Sequence, residues 1–166
     1  TTLKIQNTRI SSNNNLDRNL FVMESTAPNA RQTIRLLDSN LDSNDFSGAK
    51  LIYLYSSGAN SVQTVCIMRN VASTFANGDF VYAYVQGTST QNVTYNDNDF
   101  QDFSGDTNND NLFGYFFGEF GQNFTITNNK FINNTAPIGK LFYVATSRTN
   151  ACSQNAQIRN NQVIGN

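Results

Sequence analysis

The amino-acid sequence predicts an all-β solenoid, in which a chain of 166 residues winds into coils that stack in parallel. Two separate series of apolar residues recur at intervals of 29 to 32 residues along the whole chain. The stretches between them show strand patterns and no helical period, which excludes βαβ units. We therefore expect one domain over residues 1–166, or a segment of a longer solenoid, with about five and a half coils of about 30 residues. The first series is Ile10, Leu41, Val71, Phe100, Phe131 and Val163, and the second is Phe21, Ile52, Val81, Phe113 and Phe142.

The first strand of each coil alternates apolar and polar residues, as a half-buried strand does. In the second coil, for example, Ile34 and Leu36 are apolar and Arg35 between them is charged. The apolar residues should face a common core and the polar residues should face solvent. The predicted inward residues are Leu3, Ile5, Ile34, Leu36, Val65, Ile67, Val93, Tyr95, Phe124, Ile126, Ala156 and Ile158.

An Asn-rich turn follows the first strand, as in residues 96–99, 128–129 and 160–161. Asparagine tolerates left-handed backbone angles and hydrogen-bonds nearby main chain, so equivalent asparagines can turn each coil and bond to the next one. This pattern and the double series favour stacked coils over the alternative, a β-sandwich whose strands are evenly spaced.

The second strand of each coil is apolar on both faces, as in residues 51–55 and 80–85. If the second apolar series points inward, its neighbours point outward, and this register puts Gly114 and Phe116 in an outer row with several tyrosines. Such a row exceeds the apolar patch usual for a monomer. We expect it to be covered by the chain's own loop at 101–111, by another subunit or by bound sugar. The predicted interaction face consists of Tyr53, Tyr55, Tyr82, Tyr84 and Tyr143.

Charge and composition exclude several classes of function. Eleven Lys and Arg balance twelve Asp and Glu, and like charges form no block, so we expect no nucleic-acid partner. His is absent, which removes the commonest acid/base residue and transition-metal ligand. No apolar run approaches the roughly 18 residues of a membrane helix, so no membrane span is expected.

Part of the repeat resembles a known group of proteins. Residues 131–136 (FINNTA) followed by residues 139–142 (GKLF) look like the FxxN…GGAI repeats of polymorphic membrane protein adhesins, and residues 46–52 resemble a second copy. These adhesins belong to the right-handed parallel β-helix superfamily, also called pectin-lyase-like. The resemblance implies a right-handed parallel β-helix at the cell surface or outside the cell. It also implies a scaffold shared with polysaccharide lyases and hydrolases.

The acidic residues bear on whether the chain is such an enzyme. Glycoside hydrolysis needs two converging carboxyl groups, and lyases of this fold typically use Ca²⁺ with a basic Arg or Lys. No Arg or Lys occurs between Arg69 and Lys130 to complete such a site from the same or the adjoining coil, although a long Arg of another coil could reach the acids. We expect a solvated loop and no catalytic residue. The one acidic cluster comprises Asp97, Asp99, Asp102, Asp106 and Asp110.

A calcium loop is the one cofactor site that the sequence offers. Asp106, Asn108 and Asp110 match the Asp-x-Asn-x-Asp start of such a loop. The Gly at its sixth place and the Glu at its twelfth are missing, so the match is weak and a polar surface loop is the expectation.

Three sequons for N-linked glycosylation occur, at Asn92, Asn123 and Asn133. Asn92 and Asn123 fall at the same outward place in adjacent coils, where a glycan would project without touching the core. We expect N-linked glycans at these residues. Together with the adhesin resemblance, the sequons predict an extracellular or cell-surface location.

The two cysteines, Cys66 and Cys152, have neither a zinc-binding spacing nor a His partner. A stack would hold them roughly 14 Å apart at the ~4.8 Å strand spacing, beyond the ~7 Å limit between the Cα atoms of a disulfide. We therefore expect no bond between them. Each is an inert thiol or bonds to another chain or to coils outside this sequence.

The expected function is that of an extracellular, glycosylated structural protein, either a filament subunit or an adhesin stalk. Neither end of the sequence carries an evident cap, and exposed coil edges invite pairing with another chain. We expect self-association into a homopolymer through the aromatic face and the open coil ends. The alternative is a β-helix that binds or cleaves a polysaccharide along the second strand or at the acidic loop.

Overall fold

A computed structural model describes residues 1–13, 18–105, 111–135, 140–146 and 153–165. In these residues the chain forms seventeen strands and no helix. In chain order the strands are β1 (Thr2–Gln6), β2 (Arg9–Ser11), β3 (Phe21–Ser25), β4 (Arg31–Leu37), β5 (Asn40–Asp45), β6 (Lys50–Ser56), β7 (Val62–Met68), β8 (Val71–Ala76), β9 (Asp79–Val85), β10 (Thr90–Asn96), β11 (Asp99–Gln101), β12 (Asn111–Gly118), β13 (Gly121–Thr127), β14 (Lys130–Ile132), β15 (Lys140–Ala145), β16 (Ser153–Arg159) and β17 (Gln162–Ile164).

The strands form three parallel sheets, and the chain visits the sheets in turn. Five coils contribute one strand to each sheet, and β16 and β17 belong to a sixth coil. The predicted all-β parallel solenoid is therefore confirmed. The first sheet has the order β1-β4-β7-β10-β13-β16, the second β2-β5-β8-β11-β14-β17 and the third β3-β6-β9-β12-β15.

Equivalent residues of successive coils stand in rows along the solenoid axis. In the first sheet Thr33 pairs with Thr64 and Thr64 pairs with Asn92, so these coils contain 31 and 28 residues. The difference in length lies in the connections, because the strands keep an unbroken register. Within each row, equivalent residues of successive coils are about 4.8 Å apart, the distance between neighbouring strands.

The core is a column of apolar side chains between the three sheets. Ile34 and Leu36 of β4 are fully buried, and Arg35 between them is exposed, as the alternation predicts. In the middle coils the column is aromatic. The Phe100 ring lies 4.9 Å from the ring of Phe113 and 5.6 Å from that of Phe131, between centroids. Each fully buried Phe contributes roughly 1.5–3 kcal/mol of hydrophobic stabilisation.

Each of the first five coils has a third strand that the two-strand prediction missed. The Asn-rich turn leads at once into a short strand of the second sheet, such as β8. The assignment of Val71 to the first apolar series is wrong by one residue, since Ala72 pairs with Leu41 and is buried while Val71 is 50% exposed. The pattern selected the more apolar residue, whereas the turn before β8 determines which side chain points inward.

The register of the fourth coil also differs from the prediction. The pairing of β12 with β15 shifts just before Gly114, and Tyr115 is the residue that pairs with Tyr82 of β9. The outer row therefore contains Tyr115 and Phe117. The expected outward positions of Gly114 and Phe116 are both wrong, because Gly114 is buried and pairs with Phe142 of the inward series, and the Phe116 side chain is fully buried.

Two contacts accommodate this irregularity. Tyr95 is fully buried, and its hydroxyl donates a hydrogen bond to the Phe113 carbonyl oxygen. Without this partner the buried hydroxyl would cost about 1–3 kcal/mol. Gly114 leaves space for the Phe116 ring, because a Cβ at position 114 would lie 2.2 Å from an atom of that ring. Neither contact joins equivalent residues of successive coils, so the repeat of apolar residues in the sequence does not predict them.

Buried asparagines form a ladder at the turn between the first and second sheets. The Asn98 Oδ1 accepts hydrogen bonds from the backbone N–H and the Nδ2 of Asn70, both at 3.0 Å. The Asn98 Nδ2 donates to the Ile67 carbonyl oxygen at 2.8 Å and to the Asn129 Oδ1 at 2.8 Å. The predicted bonding between asparagines of successive coils is thus present. The ladder consists of Asn70, Asn98, Asn129 and Asn161.

A second ladder, of glutamines, lies on the strands of the first sheet and was not predicted. Each Nε2 donates to the Oε1 of the glutamine in the preceding coil, over 2.8 to 3.1 Å. In the asparagine ladder the side-chain donors point to the following coil instead, so the two ladders run in opposite directions. The glutamine ladder consists of Gln32, Gln63, Gln91, Gln122 and Gln154.

The sixth coil carries exposed apolar side chains. Ile158 of β16 is 68% exposed and Val163 of β17 is 58% exposed. Beside them Phe124, Ile126 and Phe142 line an open cavity of about 310 Å³. This end of the described solenoid is therefore apolar.

Candidate functional site

Four stacked tyrosines on the outer side of the third sheet form the candidate functional site, which we call the tyrosine row. The ring centroids are 5.3 Å apart between Tyr53 and Tyr82, 4.8 Å between Tyr82 and Tyr115, and 5.0 Å between Tyr115 and Tyr143. The planes of neighbouring rings differ by 11° or less. Strand pairing causes this arrangement, because each tyrosine pairs with the next in a parallel register.

A shorter aromatic row lies beside it, two residues further along each strand. The Tyr55 and Tyr84 rings are stacked at 5.8 Å, and the Tyr84 and Phe117 rings at 4.8 Å. All five tyrosines of the predicted interaction face therefore lie in these two rows. The structure adds Tyr115 and Phe117, which the shifted register hid. Counting 28 residues back from Tyr143, the length of the coil between Thr64 and Asn92, would have found Tyr115.

The stacking leaves ring edges at the surface and covers most ring faces. Tyr82 and Tyr115 each have a tyrosine ring on both sides. At one end of the row the Lys140 Nζ lies 4.7 Å from the centroid of the Tyr143 ring, a cation–π contact. At the other end the row continues from Tyr53 to Val22 of the first coil. A flat ligand therefore finds few open ring faces on this surface.

Partial burial raises the pKa values of Tyr53, Tyr82 and Tyr115 and so keeps these three phenols neutral over a wide pH range. Burial raises the pKa of Tyr82 to about 12, and the neighbouring tyrosines and Asp79 act in the same direction. Burial also raises the pKa of Tyr115 and of Tyr53, and at Tyr53 the Glu24 carboxylate adds to the effect. These three hydroxyls can donate hydrogen bonds throughout the physiological pH range.

The sequon asparagines lie at two places on the surface. Asn92 and Asn123 pair in adjacent strands of the first sheet, and the Asn123 Nδ2 donates to the Asn92 Oδ1 at 3.0 Å. Asn92 is partly buried and Asn123 is exposed. Asn133 is exposed in a turn, with a left-handed φ of 54°. All three side chains lie outside the core, and their glycosylation stays a prediction.

The acidic residues are spread over turns and a strand. Asp97 and Asp102 lie in exposed turns with left-handed φ angles, while Asp99 lies on β11. The expectation that the same and the adjoining coil offer them no cation is wrong, because the Lys130 Nζ of the adjoining coil lies 3.8 Å from the Asp99 Oδ2. Stacking brings together residues that are one coil apart in sequence, such as Asp99 and Lys130. The absence of Arg and Lys between residues 69 and 130 therefore did not exclude a cation close to Asp99 in space.

The calcium candidate lies outside the described residues, since Asp106, Asn108 and Asp110 belong to the segment 106–110. Among the described residues no group of three or more His, Cys, Asp or Glu is placed to hold a metal ion. Cys152 also lies outside the described residues. Cys66 is partly buried, with its Sγ 3.1 Å from the Met68 Sδ, and burial raises the pKa of its thiol.

No family model, curated protein or solved structure matches the chain. The fold, a parallel β-solenoid, therefore rests on the structure itself, and the likeness to adhesin repeats rests on residues 46–52 and 131–142. In the part of the chain that is described, no helix is long and apolar enough to cross a membrane.

Proposed function

We propose that this chain is an extracellular structural protein of the pectin-lyase-like type, a glycosylated filament subunit or adhesin stalk. The observation that carries the proposal is that equivalent side chains of successive coils contact one another. In the described coils the ladder amides and the outward aromatic rings bond to or stack on their equivalents in neighbouring coils. Side chains used in this way hold an elongated stack together, and each coil needs only its neighbours for support.

The geometry of the tyrosine row favours a structural role over sugar stacking. Sugars pack flat against the open face of an aromatic ring. In this row neighbouring rings cover the faces of Tyr82 and Tyr115, so a partner meets ring edges and hydroxyls. An amphipathic surface of this kind suits contact with another protein wall, since tyrosine is enriched in such interfaces.

Self-association of this chain is part of the proposal. β16 is an edge strand of the first sheet within the described residues, and free strand edges pair with other strands. Ile158 and Val163 lie exposed at the same end. We expect homopolymers that form through coil ends and the aromatic rows. Glycans on Asn92 and Asn123 would project from the side of the first sheet and leave these contacts open.

Electron microscopy and light scattering of the purified protein test this proposal. We expect filaments, or oligomers whose mass rises with concentration. Val163→Lys should reduce assembly, because it places a charge in an apolar contact. Val71→Lys is the matched control, at a residue of similar exposure in the second strand of the third coil, and should assemble like the original chain. A protein that stays monomeric at every concentration, or that assembles equally well as both variants, would contradict end-to-end assembly.

Polysaccharide binding is the second candidate function. The row of tyrosine hydroxyls with Lys140 at its end favours it, because these groups donate hydrogen bonds along one line. On a glycan array, Tyr82→Ala should lose binding while Asn123→Ala keeps it. The absence of binding by the original chain would exclude this function.

A further inference from the structure

We propose that the tyrosine row is an oxidative cross-linking site, at which dityrosine bonds join neighbouring coils of one chain. Its four phenols lie in one line, with centroids 4.8 to 5.3 Å apart. Among the seven tyrosines, all of which are in the described residues, the one other stacked tyrosine pair is Tyr55 with Tyr84, at 5.8 Å. The reaction takes place within one chain, so it does not depend on the proposed assembly.

Nearly parallel stacking holds the phenol rings of neighbouring tyrosines face to face. The ring centroids of Tyr82 and Tyr115 are 4.8 Å apart and the ring planes differ by 5°. All four residues of the row are only partly buried, so their outer edges reach solvent. A tilt of two rings toward each other at this open edge brings their ortho carbons into bonding contact.

Proximity makes coupling inside the row faster than coupling between molecules. In the folded chain a tyrosyl radical formed on one ring has its next phenol about 5 Å away, which corresponds to a very high effective concentration. In a micromolar solution of unassembled chains the tyrosines of other chains are far more dilute. Tyr84 has a tyrosine neighbour on one side and Phe117 on the other, so the shorter row offers one coupling where the tyrosine row offers three.

The reaction needs an oxidant, and we assign this role to hydrogen peroxide used by a haem peroxidase. Two phenols each lose one electron and the hydroxyl proton, while one H₂O₂ takes up these two electrons and two protons and forms two H₂O. The two tyrosyl radicals couple through a new C–C bond between ortho carbons. Each of these carbons then releases its hydrogen as a proton and each ring oxygen takes one up, which restores both phenols. The protein has lost two hydrogens for each bond formed.

Such bonds would join coils in the manner of disulfides in other extracellular proteins. A solenoid coil is held by contacts with its neighbours alone, so it can separate locally. A covalent bond between Tyr82 and Tyr115 closes a loop of one coil and restricts the unfolded chain, which stabilises the folded state. The same residues thus support the coils first by stacking and then covalently.

Peroxidase treatment followed by peptide mapping tests the inference. The protein at micromolar concentration is treated with hydrogen peroxide and a haem peroxidase, then cleaved at lysine and arginine and, separately, at aspartate. We expect monomers with dityrosine fluorescence and linked peptides, lighter by two hydrogens, that join Tyr53 to Tyr82, Tyr82 to Tyr115 and Tyr115 to Tyr143. The Tyr115→Phe variant should lose the last two products completely and retain the first. Tyr55→Phe is the matched control and should retain all three.

Two results would overturn the inference. One is a product in which the links lie mainly between chains, seen as covalent dimers on a denaturing gel. The other is a set of linked peptides that is the same for the folded protein and for the chain treated in urea, since the row exists only in the folded state. The comparison of the folded protein with the urea-treated chain does not depend on filament formation, so a failure here is distinguishable from a failure of the proposed function.

Discussion

Replacement of Asn98 by alanine tests whether the asparagine ladder stabilises the stacked coils. Asn98 is 2% exposed, and its side chain makes four hydrogen bonds, two from Asn70, one to the Ile67 carbonyl oxygen and one to the Asn129 Oδ1. Each hydrogen bond contributes about 1 kcal/mol net. The Asn98→Ala variant should therefore lose about 4 kcal/mol of the free energy of unfolding. This is a large fraction of the roughly 5–15 kcal/mol typical of a domain.

Urea denaturation followed by circular dichroism measures this loss. Asn123→Ala is the matched control, because Asn123 is exposed on β13 and its side chain donates one hydrogen bond to Asn92. The control should change the free energy of unfolding by less than about 0.5 kcal/mol. A loss of less than about 1 kcal/mol in Asn98→Ala would refute the reasoning. A lower slope with denaturant would show instead that coils unfold one after another.

Two further predictions concern backbone contact and alkaline pH. A Cβ at Gly58 would lie 1.8 Å from the Ala27 carbonyl oxygen of the preceding coil, so Gly58→Ala should lower the melting temperature strongly. Gly121→Ala is the control and should not lower it, because a Cβ at Gly121 would have no atom nearer than 3.5 Å. Equal melting temperatures of the two variants would contradict the close approach at Gly58. The fold should lose stability as the pH rises above about 10, the ordinary tyrosine pKa of the unfolded chain, because burial raises the pKa of Tyr82 to about 12 and that of Tyr95 well above its ordinary value. The stabilisation is complete below pH 10 and is lost toward pH 12, so urea midpoints that are equal at about pH 8 and pH 11 would contradict it.

The fold could be predicted from the sequence where burial alone decides the structure. Ile34 and Leu36 alternate with polar residues, so their burial follows from the period of a strand. The strands of the second sheet were missed because several are three residues long, such as β11 and β14, too short for a period to show. The shifted register at Gly114 was also missed, since it depends on the Tyr95 hydroxyl and on the space that the Phe116 ring needs.

The candidate site could be predicted where the alternation of inward and outward residues is regular. Alternation in the second strand of the pattern placed Tyr53 and Tyr82 outward, and the structure stacks them. Tyr115 was missed because its position depends on the irregular pairing before it. The glutamine ladder was missed for another reason. Gln63 and Gln91 are fully buried, and the side-chain amide of Gln91 donates a hydrogen bond to that of Gln63 in the preceding coil. A hydrophobic pattern along one strand does not show a partner in another coil.

The two amide ladders and the three sheets have a mechanical consequence. The backbone hydrogen bonds between β9 and β12 and the amide contacts between Gln91 and Gln122 both connect one coil to the next along the solenoid axis. Tension applied along this axis acts on all of these bonds at once. From the second coil to the fifth, the load at each boundary is therefore shared by three strand pairs and at least the glutamine contact. When the tension is spread evenly over a coil, the bonds of such a boundary resist it together.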